Sequence, residues 1–235
     1  MKKFKLFCFS YAGGSSIIYE KWRKLLSPSI ELIPIEYSGR GRRFTSPIYD
    51  NINEIVEDAF QSVKTHLDGT SFSFFGHSMG TIIAYELSHK LKQLDYPAPI
   101  HIFFSGRLAP HAINPYKTLH VLNDIEFKEE LLKLGGTPLE ALENKEWMSI
   151  FLPILRSDFK AVELYNYSKK DDILDCEFTI LYGDDDYLIN NTIYEWQRHT
   201  KNKCTFLNFT GGHFFIAEHT DEIVHTINKT LISKL

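Results

Sequence analysis

Gly76-His77-Ser78-Met79-Gly80 sets a serine between two glycines, directly after an aromatic run and directly before a stretch of helical period. Small residues on both sides permit a tight strand-to-helix turn that lifts the hydroxyl above a sheet, the context a G-x-S-x-G motif requires. The following helix also points its positive end at that position, which favours developing negative charge. The chemistry indicated is nucleophilic attack on an acyl carbon. A serine hydroxyl is a weak nucleophile until a base takes its proton, so a histidine and an acid to orient it must follow. For this type of turn the chain order is serine, acid, histidine.

Ten histidines compete for the role of base. His213 stands out because it follows Gly211-Gly212 in the loop after the last strand, where a side chain can reach back over the sheet edge. His77 flanks the nucleophile and points away from it in such a turn. His66, His89, His199 and His225 fall on polar helix faces and are expected at the surface. His213, His219 and His225 recur every six residues, but six helical residues rotate about 240°, so they diverge. No H-E-x-x-H spacing is present, and no metal site is expected. The acid should sit just past a strand, and Gly183-Asp184-Asp185-Asp186 offers three candidates there; the residues alone do not choose among them.

The elements that must carry these groups alternate. Residues 4–10, 31–36, 71–75, 100–105, 178–182 and 204–209 read as strands. Helical periods cover a stretch through Trp22 and Leu26, one opened by Asn51 with Glu54 as a capping box, and residues 81–94, 192–200 and 221–235. The helix after Asn51 carries Ile52, Ile55, Val56, Ala59, Val63 and Leu67 on one face. This order predicts an α/β fold with a mostly parallel central sheet flanked by helices. From about residue 110 to 170 the pattern is almost all helical, which predicts a helical lid inserted into a single domain spanning 1–235. Its apolar set (Phe127, Leu131, Leu134, Trp147, Phe151, Leu155) could line a channel or pack on the sheet.

With 26 Lys+Arg against 30 Asp+Glu the net charge is −4, without the basic excess of a general nucleic-acid binder. Hydrophobic residues at 43% and charged residues at 24% exclude disordered and fibrous classes. Three distant cysteines, Cys8, Cys176 and Cys204, with no CxxC pair, indicate neither a disulfide framework nor a zinc ribbon. The apolar run after Lys2, Lys3 and Lys5 is too short for a signal peptide, and no run is long enough to span a bilayer. A cytoplasmic protein is expected, with no membrane association.

Several further motifs carry a resemblance. Tyr11-Ala12-Gly13-Gly14, Gly39-Arg40-Gly41-Arg42-Arg43, Ser105-Gly106-Arg107-Leu108-Ala109-Pro110, Pro153-Ile154-Leu155-Arg156-Ser157-Asp158-Phe159 and Gly211-Gly212-His213-Phe214-Phe215 join the serine turn. Nearly end to end, the chain resembles the α/β-hydrolase superfamily and, within it, the type II (external) thioesterases of nonribosomal peptide and polyketide synthesis. Ser10 and Ser38 stand where that family usually has proline. The family's acid resembles G-x-x-D, which falls on Asp186, so the resemblance implies a triad of Ser78, Asp186 and His213.

The oxyanion of a tetrahedral intermediate needs two donors. The N–H after the nucleophile, Met79, is one, and Ala12 in the loop after the first strand fits the other. The arginines of residues 39–43 either cradle a phosphate, meet an acidic carrier protein, or form a solvated loop paired with nearby acids, the last being favoured for clustered charges. The resemblance implies hydrolysis of stalled or aberrant acyl groups from the phosphopantetheine thiol of a peptidyl or acyl carrier protein. No cofactor is expected beyond the phosphopantetheine on the substrate, and a monomer is expected. A carboxylesterase, lipase or medium-chain acyl thioesterase would share every catalytic residue, and a non-catalytic carrier-protein binder is the rival of another class.

Overall fold

The computed structural model describes residues 3–112, 118–137 and 139–234. Strand β1 (Phe4–Phe9) is buried at every position, which only a central strand covered on both faces can be. Its side chains divide by parity. Phe7 and Phe9 join one apolar cluster with Phe72, Phe74, Ile102, Phe104, Phe178 and Ile180. Phe4, Leu6 and Cys8 join the opposite cluster with Phe75, Phe103 and Leu181.

The sheet order is β2-β1-β3-β4-β5-β6, with β2 (Ile30–Pro34), β3 (Ser71–His77), β4 (His101–Ser105), β5 (Glu177–Gly183) and β6 (Cys204–Phe209). Every pairing is parallel. Register aligns His77 with Ser105 and Gly183 with Phe209, so the chain leaves these strands along one edge. The order reverses at β1, which lies between β2 and β3. The crevice above the carboxyl ends of β1 and β3 is therefore a topological switch point, where ligands bind in open α/β sheets.

Helices α1 (Ile52–Lys64) and α2 (Met79–Gln93) bury their stripes against the first cluster. Asn51 caps α1 by accepting from Glu54 N–H, while the Glu54 carboxylate returns to Asp50 N–H and the Asn51 amide, one residue earlier than the expected box.

Residues 16–24 and 191–199 form 3₁₀ rather than α-helices. Their buried residues explain the difference: Tyr19 and Trp22 in one, Ile193, Trp196 and His199 in the other, recur every three positions. That is the period of a 3₁₀ helix, and it aligns all of them on one edge. His199 is consequently 5% exposed; His89, on α2, is 4% exposed, so both expectations of a surface position are corrected. Each packs against Tyr85, whose hydroxyl lies 2.9 Å from His199 Nδ1.

Between β4 and β5 lie α3 (Asp124–Leu134), α4 (Leu139–Glu143) and α5 (Lys145–Glu163). They pack on one another through their own core of Phe127, Leu131, Leu142, Met148 and Leu155. Residues 113–117 and 138 of the expected insertion lie outside the described residues. After β6 come a one-turn helix α6 (Phe215–Glu218), which the sequence reading left in a loop, and α7 (Thr220–Ile232). Among the described residues no helix is long and apolar enough to cross a membrane.

Candidate active site

Ser78 sits between the last residue of β3 and the first of α2, with φ 54° and ψ −111°. Such a backbone is costly for a side-chain-bearing residue and is held by its surroundings. Ser78 N–H donates to Ser105 O at 2.8 Å, and the Thr81 hydroxyl reaches both Gly76 O and Ser105 O. The two flanking glycines follow from close approach. A Cβ on Gly76 would stand 2.2 Å from Gly80 O, and one on Gly80 would stand 2.0 Å from Phe9 O. Any larger residue would push α2 off the turn or off β1.

Asp186 and His213 are brought together by the loops after β5 and β6. Asp184 N–H donates to Phe209 O, Asp185 N–H to Gly211 O, and Gly211 N–H to the Asp184 carboxylate. These bonds lock the loops side by side. His213 Nδ1 then lies 2.7 Å from Asp186 Oδ2, both residues being 4% exposed. The other Asp186 oxygen accepts from Leu188 N–H. A carboxylate accepts only, so Nδ1 carries the proton and Nε2 presents a lone pair. Of the three aspartates, 184 and 185 are exposed and only Asp186 meets the histidine. No hydrogen bond joins Ser78 Oγ directly to His213, but both line the same two cavities. His219 instead bonds Thr210 and Glu222, and His225 is exposed on α7.

His77 does turn from the serine, yet it supports the base: its ring centroid is 5.2 Å from that of His213, and its Nδ1 bonds the Ser105 hydroxyl. Burial, with His213 adding to it, holds its pKa well below the usual histidine range. His77 is therefore neutral and puts no charge beside the candidate base.

The loop after β1 is held from a distance. Gly14 N–H closes a turn on Tyr11 O, and Gly13 N–H donates to Asp158 Oδ2 at 2.7 Å. Ala12 N–H has no acceptor among the described residues, and Met79 N–H, first in α2, has none within its helix. The arginine run divides. Arg40, 2% exposed, forms a two-pronged pair with Asp158; Arg43 pairs with Asp58; Arg42 is exposed. The favoured reading, arginines paired with acids, holds for two, but Arg40 is no part of a solvated loop.

A polar cavity of about 340 Å³ at Ser78 is lined by Arg107, His111, Glu163 and Tyr167. A more apolar cavity of about 170 Å³, which shares Ser78, Arg107, Glu163 and His213 with it, is lined also by Tyr11, Leu134, Phe159 and Phe214. A third, of about 140 Å³, lies beyond it among Leu131, Trp147, Phe151 and Leu155. The insertion's apolar set thus lines cavities, as one expectation had it, but the residues that pack do so on one another rather than on the sheet. The sequence reading passed over Arg107 and Asp158 as individual residues, although both stand in motifs it singled out.

A parallel sheet, a strained serine turn after β3 and a histidine–aspartate pair after β6 and β5 define an α/β-hydrolase. The chain belongs to the thioesterase domain family, whose model matches residues 4–231, and it is a thioester hydrolase. Among solved structures it is similar to ClbQ from the colibactin NRPS/PKS pathway, with 36% identity, 99% and 98% of the two chains covered, and a TM-score of 0.94. It is 35% identical to the gramicidin S biosynthesis protein GrsT of Aneurinibacillus migulanus over 97% of this chain and 89% of that one. It is also 36% identical, over 98% and 88%, to a Brevibacillus parabrevis protein named linear gramicidin dehydrogenase LgrE. This chain has no Gly-x-Gly-x-x-Gly turn, the dinucleotide-binding fingerprint, so that name is not carried over.

Proposed function

We propose that this enzyme is a type II thioesterase that hydrolyses stalled or aberrant acyl groups from the phosphopantetheine thiol of peptidyl or acyl carrier proteins. Relatives of this chain belong to peptide and polyketide pathways. The observation that carries the reading is the placement of Ser78 and His213 in the walls of both a polar and an apolar cavity. A thioester spans two such compartments, with a polar arm on the sulfur side and an acyl group on the other.

His213 Nε2 accepts the Ser78 proton as Oγ bonds to the thioester carbon. Asp186 holds the imidazole in the required tautomer and stabilises its protonated form. Ala12 and Met79 N–H groups receive the oxyanion. The C–S bond then breaks, and the departing sulfur takes the proton from His213; with a thiol pKa of about 8.5 it needs less of that acid assistance than an amide nitrogen, and His213 is left free to act as base again. Water, giving its proton to His213, attacks the acyl-serine and releases the acid. The reading includes no cofactor, no metal, a monomer in the cytoplasm, and α3–α5 as a lid over the site.

Hydrolysis rates on acyl-carrier proteins beside matching acyl-CoA and simple esters test it. A marked preference for the carrier-bound form supports the reading. Equal rates on simple esters point instead to a general carboxylesterase, and no covalent adduct of Ser78 with a fluorophosphonate points to a non-catalytic binder.

A further inference from the structure

Ser78 and His213 share two cavities but no direct hydrogen bond, so other contacts must set the distance between nucleophile and base. Asp186 holds one edge of the His213 imidazole. The ring itself lies against His77, with centroids 5.2 Å apart and planes tilted by 37°. His77 ends β3 and Ser105 ends β4, and the parallel register places the two side by side. Both are fully buried, and their side chains meet, His77 Nδ1 lying 2.8 Å from Ser105 Oγ. The same serine reaches the nucleophile through its backbone. Its carbonyl accepts Ser78 N–H at 2.8 Å and the Thr81 hydroxyl at 3.1 Å. A continuous path therefore runs from Ser78 through Ser105 and His77 to His213. Gly106 makes room for its far end: a Cβ there would stand 2.7 Å from His77 Cε1 and 3.5 Å from His213 Cε1.

Core packing alone does not account for a histidine at this place. The ring is nested among Tyr11, Phe214 and Phe215, surroundings that suit a phenyl ring without the desolvation cost of polar nitrogens. Replacing two buried, hydrogen-bonded groups by an apolar pair of similar shape is close to neutral for stability. What the serine and the histidine supply is direction. Their bond fixes the plane of the His77 ring, and that ring limits how far His213 can tilt. Neither residue lines the cavities at Ser78, so neither touches substrate. Resting on the assignment of Ser78 and His213 above, we propose that Ser105 and His77 are positioning residues that hold the base in register with the nucleophile.

Ser105→Ala removes the hydroxyl, and His77→Phe keeps a ring without its nitrogens. Each is expected to lower kcat per active site roughly 3- to 10-fold with KM unchanged, the range of one hydrogen bond between uncharged groups. The double variant should lose no more than either single one, because both substitutions break the same link. Active sites are counted by fluorophosphonate labelling of Ser78, and turnover is measured on an acyl-carrier protein and on the matching simple ester. Each single variant strands one buried polar group and should melt lower, whereas the double variant should recover its melting temperature without recovering kcat. Residues that only fill space would lower the labelled fraction and the melting temperature together and leave kcat per labelled site unchanged, which overturns the proposal. Losses that multiply in the double variant, or a loss confined to KM, overturn it as well. If His77→Phe does not fold, kcat per labelled site in Ser105→Ala decides alone. A wild-type enzyme that forms no adduct on Ser78 would instead sink the parent assignment. Activity on the ester but not on the carrier-bound thioester would sink the carrier reading, and the ester series would still judge the link.

Discussion

Arg40 and Asp158, 118 positions apart in the chain, meet in a buried pair with Nη1–Oδ2 at 2.6 Å and Nη2–Oδ1 at 2.9 Å. The same Oδ2 takes Gly13 N–H, so an ion pair between the β2–α1 connection and α5 fixes the turn that presents Ala12. Gly13 N–H and Gly14 N–H are both occupied, while Ala12 N–H, the donor that the proposed mechanism uses, has no acceptor among the described residues.

Removing one partner leaves a buried charge. Arg40→Met and Asp158→Leu are each expected to lower stability by about 3–5 kcal/mol. The double variant should recover most of that loss, because an apolar pair replaces a desolvated one, while kcat stays low for want of an anchor on Gly13. Urea melts and kcat measured on the three variants test this; a fully active double variant would mean that Asp158 does not hold the turn.

The strained turn predicts a separation of stability from activity. Ser78→Ala and Ser78→Gly should both abolish hydrolysis by several orders of magnitude, as neither has the attacking oxygen. Only glycine relieves the backbone, and it should be the more stable by about 1 kcal/mol after the entropy of the unfolded chain is subtracted. Thermal melts that rank alanine above glycine would show that the turn stores no strain.

Among the aspartates, Asp186→Asn should reduce turnover by roughly 10⁴ by removing the tautomer-fixing acceptor. Asp185→Asn should change little, since its side chain is exposed. Asp184→Asn should fall between, because its carboxylate anchors Gly211 two residues before His213. A steady-state comparison in which Asp184→Asn is the most damaging would move the acid to position 184.

Much of this site is legible in the amino-acid sequence. The serine turn announced itself through its two glycines, and Gly-Gly-His marked the base through the loop that carries it. The choice of Asp186 over its two neighbours was not available from residue type: all three are aspartates in one turn, and only the pairing of the β5 and β6 loops separates them. His199 is buried against expectation because a helical wheel assumes 3.6 residues per turn, whereas residues 191–199 follow a period of three; His89 lies on the α-helix α2, and its burial comes from packing against Tyr85. The roles of Arg40 and Asp158 were hidden for another reason. A charge run reads as surface, and a partner 118 residues away leaves no local signal.

Buried histidines set the acid limit of the fold. Burial lowers the pKa of His89, His101 and His199 to about 4 in each case, against about 6.5 in an unfolded chain. The unfolded state therefore binds more protons between these values, and stability rises with pH across that window. The full contribution is present above about pH 6.5 and is lost as pH falls toward 4. The melting temperature should decline steadily over this range, and His101→Gln should flatten the decline. A melting temperature that is level from pH 6.5 to 4.5 would contradict the neutral assignment.

Gly135 and Gly136, after α3, offer a controlled test of how the insertion couples to the base. Both have positive φ, 82° and 78°, so alanine at either costs about 1–2 kcal/mol of backbone strain. Their surroundings differ. A Cβ on Gly135 would lie 3.6 Å from Phe214, an ordinary contact, whereas one on Gly136 would stand 2.4 Å from Phe214 Cζ. Phe214 follows His213 directly, packs edge-on against Tyr11 at 4.9 Å and lines both apolar cavities. Gly135→Ala and Gly136→Ala should therefore share the backbone penalty, but Gly136→Ala alone should displace the ring beside the base and lower kcat/KM. Pairing Gly136→Ala with Phe214→Leu shortens the obstructing side chain, so it should recover activity without recovering the backbone penalty. Melting temperatures and kcat/KM for the three variants separate the two effects. Equal activity in Gly135→Ala and Gly136→Ala would show that the insertion and His213 are not coupled through Phe214.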